Sequence, residues 1–206
     1  MAKTCIGSDR IKKMYVGEDR IRRAYVGSDL VFSAESVLFQ NGSTDESGTW
    51  SVCHNGYMTD TMPVIDTKIK FPTAKQVSSY GRLAVTDNKI NFSGSHTISF
   101  DISDINFSLH TGNVAPDHYW TARLYVIFLP EKVTSLEFNT ENWIENYDKA
   151  EVFSYAWGPT VTQSESRAGA SESIDFTLNG DYYVGFVNCG YNCNTTEFTI
   201  NNVILE

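Results

Sequence analysis

Four histidines (His54, His96, His110 and His118) and four cysteines (Cys5, Cys53, Cys189 and Cys193) are the side chains best suited to metal or nucleophile chemistry. Neither set has the spacing that such chemistry needs. There is no His-Glu-x-x-His pair, no paired-histidine ligand spacing and no nucleophile elbow. Cys189 and Cys193 fit closure of a small loop, a pair of reduced thiols or a weak metal pair, and match no strong zinc pattern. Free thiols are the expectation for a reducing compartment. Acidic pairs occur at Asp101 and Asp104 and at Glu141 and Glu145. In so acidic a chain they arise readily on solvated faces, and glycoside hydrolysis needs two carboxylates held across a cleft. No loop has calcium-hand spacing. The reading is therefore a protein that is not an enzyme, with no metal and no cofactor.

Binding chemistry has better candidates. Aromatic residues make up 13% of the chain, enough to line both a core and a surface. A flat aromatic face stacks on sugar rings, and the polar tips of Tyr and Trp reach hydroxyls. The loop-placed candidates are Trp143 and Tyr147 on a short helix, Trp157 before Gly158-Pro159, and Tyr191 between the two late cysteines. These four are the expected ligand-binding residues, with core or subunit-interface packing as the other use of each. Tyr119 and Trp120 stand where a loop enters a strand. Trp50, in Gly48-Thr49-Trp50, is expected to close the core.

These residues must be positioned by strands. Val37–Phe39, Lys68–Phe71 and Lys89–Phe92 are short apolar runs, with turns expected at Asp87-Asn88 and Ser93-Gly94. His96–Ile102 alternates, placing Ile98, Phe100 and Ile102 inward. Tyr119–Leu129 is the strongest strand and Pro130 ends it. It is apolar on both faces (Leu124, Val126 and Phe128 against Tyr125, Ile127 and Leu129), which predicts a central position. Residues 110–118 read as a loop. Residues 140–149 hold the one credible helical turn, with Thr140 as its N-cap. Strands are expected at 151–157, 173–179 and 197–205. Asn179-Gly180 reads as a hairpin turn into 181–188. Many short strands with frequent turns and almost no helix predict an all-β sandwich. The jelly-roll form among sandwiches is implied in part by resemblance to carbohydrate-binding modules, in which a C-terminal hairpin is likewise followed by a long return strand.

The first thirty residues follow a different rule. Gly7, Gly17 and Gly27 recur at ten-residue steps, as do Asp9, Asp19 and Asp29, and Ile11, Ile21 and Val31. Tyr15 and Tyr25 keep the same step. Fixed-period similarity marks a repeated structural unit. Gly accepts positive φ and Asp bonds its own backbone, so each Gly-x-Asp is turn chemistry. The intervening residues suit short strands, giving a β-meander over residues 1–34 ahead of a sandwich over 35–206. So short a segment buries too little surface to stand alone. It needs its own downstream domain, copies of itself or a larger assembly, and an assembly element is the favoured reading. Ile11, Tyr15, Ile21, Tyr25 and Val31 are its expected contact residues.

The run Tyr15-Val16-Gly17-Glu18-Asp19-Arg20-Ile21, continuing to Tyr25-Val26-Gly27, resembles short repeats at the start of virion proteins of tailed bacteriophages and prophages. In those proteins the repeat precedes a sandwich similar to carbohydrate-binding modules. The resemblance covers residues 3–33 closely and the remainder in style. It implies a virion structural or appendage protein (tail, baseplate or head), held to other virion proteins through the repeat and forming a homo-oligomer, with a trimer favoured. Host-surface glycans are the implied ligand. A purely structural capsid, neck or tail subunit and a stand-alone carbohydrate-binding module are the alternatives.

Charge supports this division. Residues 1–34 carry seven Lys or Arg against four Asp or Glu, while residues 35–206 carry nine against twenty-one. The sandwich is thus strongly acidic and a poor partner for nucleic acid, whose affinity comes mainly from phosphate neutralisation. No apolar run is long enough for a membrane span. No apolar signal segment opens the chain, so synthesis in a host bacterial cytoplasm and residence in the virion are expected.

Overall fold

Alternation of apolar and polar residues builds nearly the whole molecule from strands. In the computed structural model the backbone is described at residues 36–44, 47–55, 62–72, 80–109, 120–137, 139–157, 164–167, 169–191 and 193–206, and at short strand pieces within 5–33. From residue 36 onward, side chains are described there except at 80, 107–109, 120, 155–157, 164–167, 191 and 193–196.

The repeat forms β1 (Cys5–Ile6), β2 (Asp9–Arg10), β3 (Met14–Val16), β4 (Asp19–Ile21), β5 (Arg23–Val26) and β6 (Asp29–Ser33). They pair as three hairpins, with Ile6 opposite Asp9, Val16 opposite Asp19 and Val26 opposite Asp29. Each register leaves two positions between strands: Gly-Ser, Gly-Glu and Gly-Ser in sequence, the composition that two-residue hairpin loops favour. Among the described residues, no hairpin strand pairs with a strand of the sandwich.

The sandwich contains β7 (Ser36–Phe39), β8 (Trp50–His54), β9 (Val64–Ile65), β10 (Ile69–Phe71), β11 (Tyr80–Thr86), β12 (Ile90–Leu109), β13 (Trp120–Leu129), α1 (Thr140–Ile144), β14 (Asp148–Trp157), β15 (Ser164–Arg167), β16 (Ala170–Tyr191) and β17 (Cys193–Leu205). One layer runs β9, β10, β17, β12 and the first half of β16, with β7 on the edge of β17 and β15 on β12. The other runs β14, β13, the second half of β16, β11 and β8. Between them lies the main core, with Phe71, Ile98, Phe100, Ile102, Phe198 and Ile200 from the first layer. Trp50, Leu124, Val126, Phe128 and Phe186 meet them from the second. This is the expected sandwich, with Ile98, Phe100 and Ile102 inward and β13 paired on both sides.

Trp50 closes the core as expected. It is 7% exposed, stacks on Phe186 with 6.1 Å between ring centroids, and donates from Nε1 to the Leu38 carbonyl at 3.0 Å. An Asn-Gly turn lies ahead of it. Gln40 and Ser43 exchange backbone hydrogen bonds around Asn41 and Gly42, both at positive φ.

Three local expectations need correction. Ser93-Gly94 is no turn; it lies inside β12. Asn179-Gly180 is no hairpin either, because β16 runs through it without reversing. The two sites face each other, Ser93 opposite Asn179 and Phe92 opposite Gly180. Gly94 (φ 87°) and Gly180 (φ 114°) put positive φ into the two rungs that flank Ser93 and Asn179, and the Asn179 side chain accepts from the Gly94 amide at 2.9 Å. Glycine's freedom admits positive φ inside an unbroken strand pair, just before β16 leaves β12 for β11 and β13. Finally, α1 is capped by Asn139, whose side chain accepts from the Asn142 amide at 3.4 Å; Thr140 is its first residue.

The apolar outer face of the second layer has its own cover. Cys53, Leu83, Val85, Tyr125, Ile127, Leu129, Val187 and Cys189 pack beneath Leu136, Trp143 and Ile144. The cover sits tightly: a Cβ on Gly81 would come within 2.1 Å of the Thr140 hydroxyl oxygen.

Candidate functional site

Three strands of the second layer end together at one side of the sandwich. Trp120, the first residue of β13, stands opposite Trp157, the last of β14. On the next rung, Thr121 stands opposite Ala156 on one flank and Tyr191, the last residue of β16, on the other. Residues far apart in sequence thus fall on adjacent rungs, about 3.4 Å apart along the strand, the Trp120–Trp157 rung on the face of Ala122 and Leu124 and the Thr121–Tyr191 rung on the face of Arg123 and Tyr125. Trp157 and Tyr191 are two of the four expected ligand residues. The register places their backbones, and their side chains lie outside the described residues, as does the side chain of Trp120. The expected loop at 110–118, with His110, His118 and the neighbouring Tyr119, also lies outside them. Tyr191 belongs to a strand, not to a cysteine loop, because β16 runs to Tyr191 and β17 starts at Cys193.

The other two expected ligand residues are elsewhere. Trp143 belongs to α1 and is 6% exposed, turned onto the sheet beneath, so its face is not open to a sugar. Tyr147 is half-buried against it, with 4.8 Å between ring centroids. The outer face of the second layer is apolar and must be covered, and α1 spends Trp143 on that cover.

Beside the aromatic rungs lies a polar group that the sequence reading did not single out. The Thr121 hydroxyl donates to Glu141 Oε1 at 2.7 Å, tying β13 to the first turn of α1. Arg123, two residues along β13 and opposite Cys189, is half-buried. Its Nε is shut off from solvent without a hydrogen-bond partner. Burial works against the guanidinium charge, but Glu141 and the Tyr125 hydroxyl outweigh it and hold the Arg123 pKa above its ordinary value. Burial, in turn, raises the Tyr125 phenol. The signal for this group was available: Arg123 is the sole charged residue between Trp120 and Leu129.

The described cysteines are structural. Cys53 and Cys189 are buried free thiols, so no bridge joins Cys189 to Cys193. Burial pushes the Cys53 thiol up to about 11, and the Cys189 thiol is raised further by burial and by Glu141. Among the described residues, no group of three or more His, Cys, Asp or Glu could hold a metal ion. None of their helices is long and apolar enough to cross a membrane.

A second polar surface lies on the outer face of the first layer. An open depression of about 460 Å³ is lined by Ser95, His96, Thr97, Asp175, Phe176 and Thr177. Its polar groups are already used in the ladder: Thr97 donates to Asp175 at 2.6 Å, and the Ser95 and Thr177 hydroxyls bond each other at 3.3 Å.

No family model and no curated protein matches this chain. Among solved structures, the chain is similar to a family 11 carbohydrate-binding module from Clostridium thermocellum in complex with a β-1,3-1,4-mixed-linked tetrasaccharide. That match has 11% identity and a TM-score of 0.41, covering 83% of this chain and 94% of the other. The carbohydrate recognition domain of Emp47p matches at 9% identity and a TM-score of 0.42, covering 83% and 93% respectively. Tailspike protein 4 of bacteriophage CBA120, as its enzymatically active domain, matches at 10% identity and a TM-score of 0.38 over 82% of this chain and 21% of that one.

Proposed function

We propose that the protein is a non-enzymatic structural component of a phage virion. In this reading residues 1–34 attach it to other virion proteins and to copies of itself, most simply as a trimer. Residues 35–206 form a displayed sandwich that adheres to host-surface glycans. The observation that carries the adhesive part is Tyr191 on the rung of Thr121, on the face that also holds Glu141 and Arg123, with the Trp120–Trp157 rung next to it on the opposite face at the same end of the sheet. Aromatic residues beside donors and acceptors are what sugar recognition requires. The virion part rests on the ten-residue repeat and on its likeness to virion repeats. Charge supports the same division, since a basic segment precedes an acidic sandwich that disfavours nucleic acid.

One observation favours the alternative of a ligand-free structural subunit: Trp143 and Tyr147 are spent on internal packing. A glycan array probed with the full chain separates the readings. Adhesion predicts binding to a restricted set of glycans, lost in Trp157→Ala and in Tyr191→Ala while melting temperature is kept. A native chain that binds no glycan leaves the structural subunit.

A further inference from the structure

We propose that the outer face of the first layer is the dock for residues 1–34 of a neighbouring copy. This deepens the assembly reading above and rests on it. Alternation turns every second side chain of β12 and β16 away from the main core. From Asn91 to Asp101 on β12, and from Ser171 to Asp181 on β16, those outward positions are Ser, Thr, Asn or Asp throughout. Such short side chains make a shallow floor that a second sheet can approach closely.

Charge selects the occupant. β7, β12, β16 and β17 contain no Lys or Arg, while β12 holds Asp101 and Asp104, β16 holds Glu172, Asp175 and Asp181, and β17 holds Glu197. Asp101 accepts from Ser171 and Asn202, Asp175 from Thr97 at 2.6 Å, and Asp181 from Asn91 at 2.7 Å. Among the described residues, none of these carboxylates meets a cation. The cations at the rim are engaged elsewhere: Lys70 pairs with Asp66 at 2.7 Å, and Lys89 lies over the Tyr183 ring at 5.5 Å. Lys68 stands beside Asp66, bonded to it through its backbone amide, and the side chain of Arg167 lies outside the described residues. His96 is 7% exposed, and its Nε2 accepts from the Ser93 amide at 3.1 Å, a bond that only the neutral ring can make.

The face thus presents negative charge with nothing of its own to answer it. The depression of about 460 Å³ has Asp175 in its wall. Thr97 takes only Oδ1 of that carboxylate and leaves Oδ2 for an ammonium or guanidinium. Within the chain the matching charge is in residues 1–34, where seven Lys or Arg outnumber four Asp or Glu and the basic pairs Lys12-Lys13 and Arg22-Arg23 stand one repeat apart. The described hairpin strands pair with no sandwich strand of their own chain. Basic segment and acidic face are different surfaces, so their contact is heterologous, and copies joined that way close into a ring such as the trimer. The candidate glycan rungs belong to the second layer and are not used by this dock.

The test begins with carbodiimide coupling of the native full chain, which joins an amine directly to a carboxylate. Peptide mass mapping should show Lys12 or Lys13 coupled to Asp175 or Asp181. Co-expression of two full chains then identifies the copy. One carries Lys3→Arg, Lys12→Arg and Lys13→Arg, and the other carries Asp101→Asn, Asp175→Asn and Asp181→Asn. Neither chain holds both partners, so the same coupled peptides should now join the two chains. Self-association, followed by sedimentation, should weaken about tenfold or more when Asp175→Asn and Asp181→Asn are combined, as expected for charge pairs at an interface. It should also weaken as sodium chloride is raised. Coupling that is present in the native chain and lost from the mixed pair places the segment on its own sandwich and overturns the dock. An oligomer coupled only to second-layer acids such as Glu145 and Glu151, or one insensitive to salt and to both substitutions, also overturns it; in all these cases the assembly reading stands. A full chain that is monomeric in light scattering overturns both.

Discussion

Trp50 carries three contacts that no smaller residue can replace. Its ring stacks on Phe186, meets the edge of Phe39 at 6.1 Å, and its indole N–H satisfies the Leu38 carbonyl. Trp50→Ala should therefore cost about 3–5 kcal/mol, read from urea unfolding of the purified protein. Asp87 ties together three segments, accepting from Thr49, Ser51 and Lys132. Partial burial pushes its pKa up, but these bonds win and hold the carboxyl below its ordinary 3.8. A lowered folded pKa gives stability that is present above the unfolded value and lost as pH falls through the folded one. Melting curves should thus show native protein more stable than Asp87→Asn at neutral pH, by about 1 kcal/mol or more. The gap should close only when the pH falls below about 3.8. Cys53 and Cys189 should resist thiol reagents at pH 8 in the folded protein and react once it is unfolded, because burial suppresses their thiolates.

Among the elements, the strands with the plainest alternation were the most legible. His96–Ile102 and, within the expected Tyr119–Leu129, the described residues from Thr121 on have the core faces that their patterns dictate, and Trp50 lies in the core as expected. The misreadings share a physical cause. Asn-Gly suits a two-residue turn and also a positive-φ step inside a continuous strand. What separates them is the partner strand, and Asn179 finds Ser93, more than eighty residues away. The same holds for the candidate site: nothing local in the sequence announces that Trp120 faces Trp157, or Thr121 faces Tyr191. The burial of Trp143 was better signposted. Tyr125, Ile127 and Leu129 form an apolar outer face that needs a cover, and α1 supplies it. That cover makes a prediction. Gly81→Ala drives a methyl group into Thr140, so α1 must shift, at a cost of about 1–3 kcal/mol. Trp143 fluorescence should move toward the solvent-exposed range while the rest of the sheet keeps its far-ultraviolet signal. If Trp143 emission stays unchanged in a folded Gly81→Ala protein, the close seating of α1 on β11 is wrong.

At the scale of the whole chain, two parts obey different physics. Residues 35–206 have a main core between two layers and a smaller core beneath α1. In residues 1–34 the described strands pair only within three hairpins, too small to hold together alone. The proposed role uses that contrast, with residues 1–34 as the part that takes partners and residues 35–206 as the part displayed. Light scattering on the full chain and on a chain starting near Ser33 tests this most directly. The account predicts a trimer, or another closed oligomer, for the full chain and a cooperatively folded monomer for the shortened one. Equal monomeric masses for the two, or a shortened chain that keeps the full oligomeric state, would contradict it.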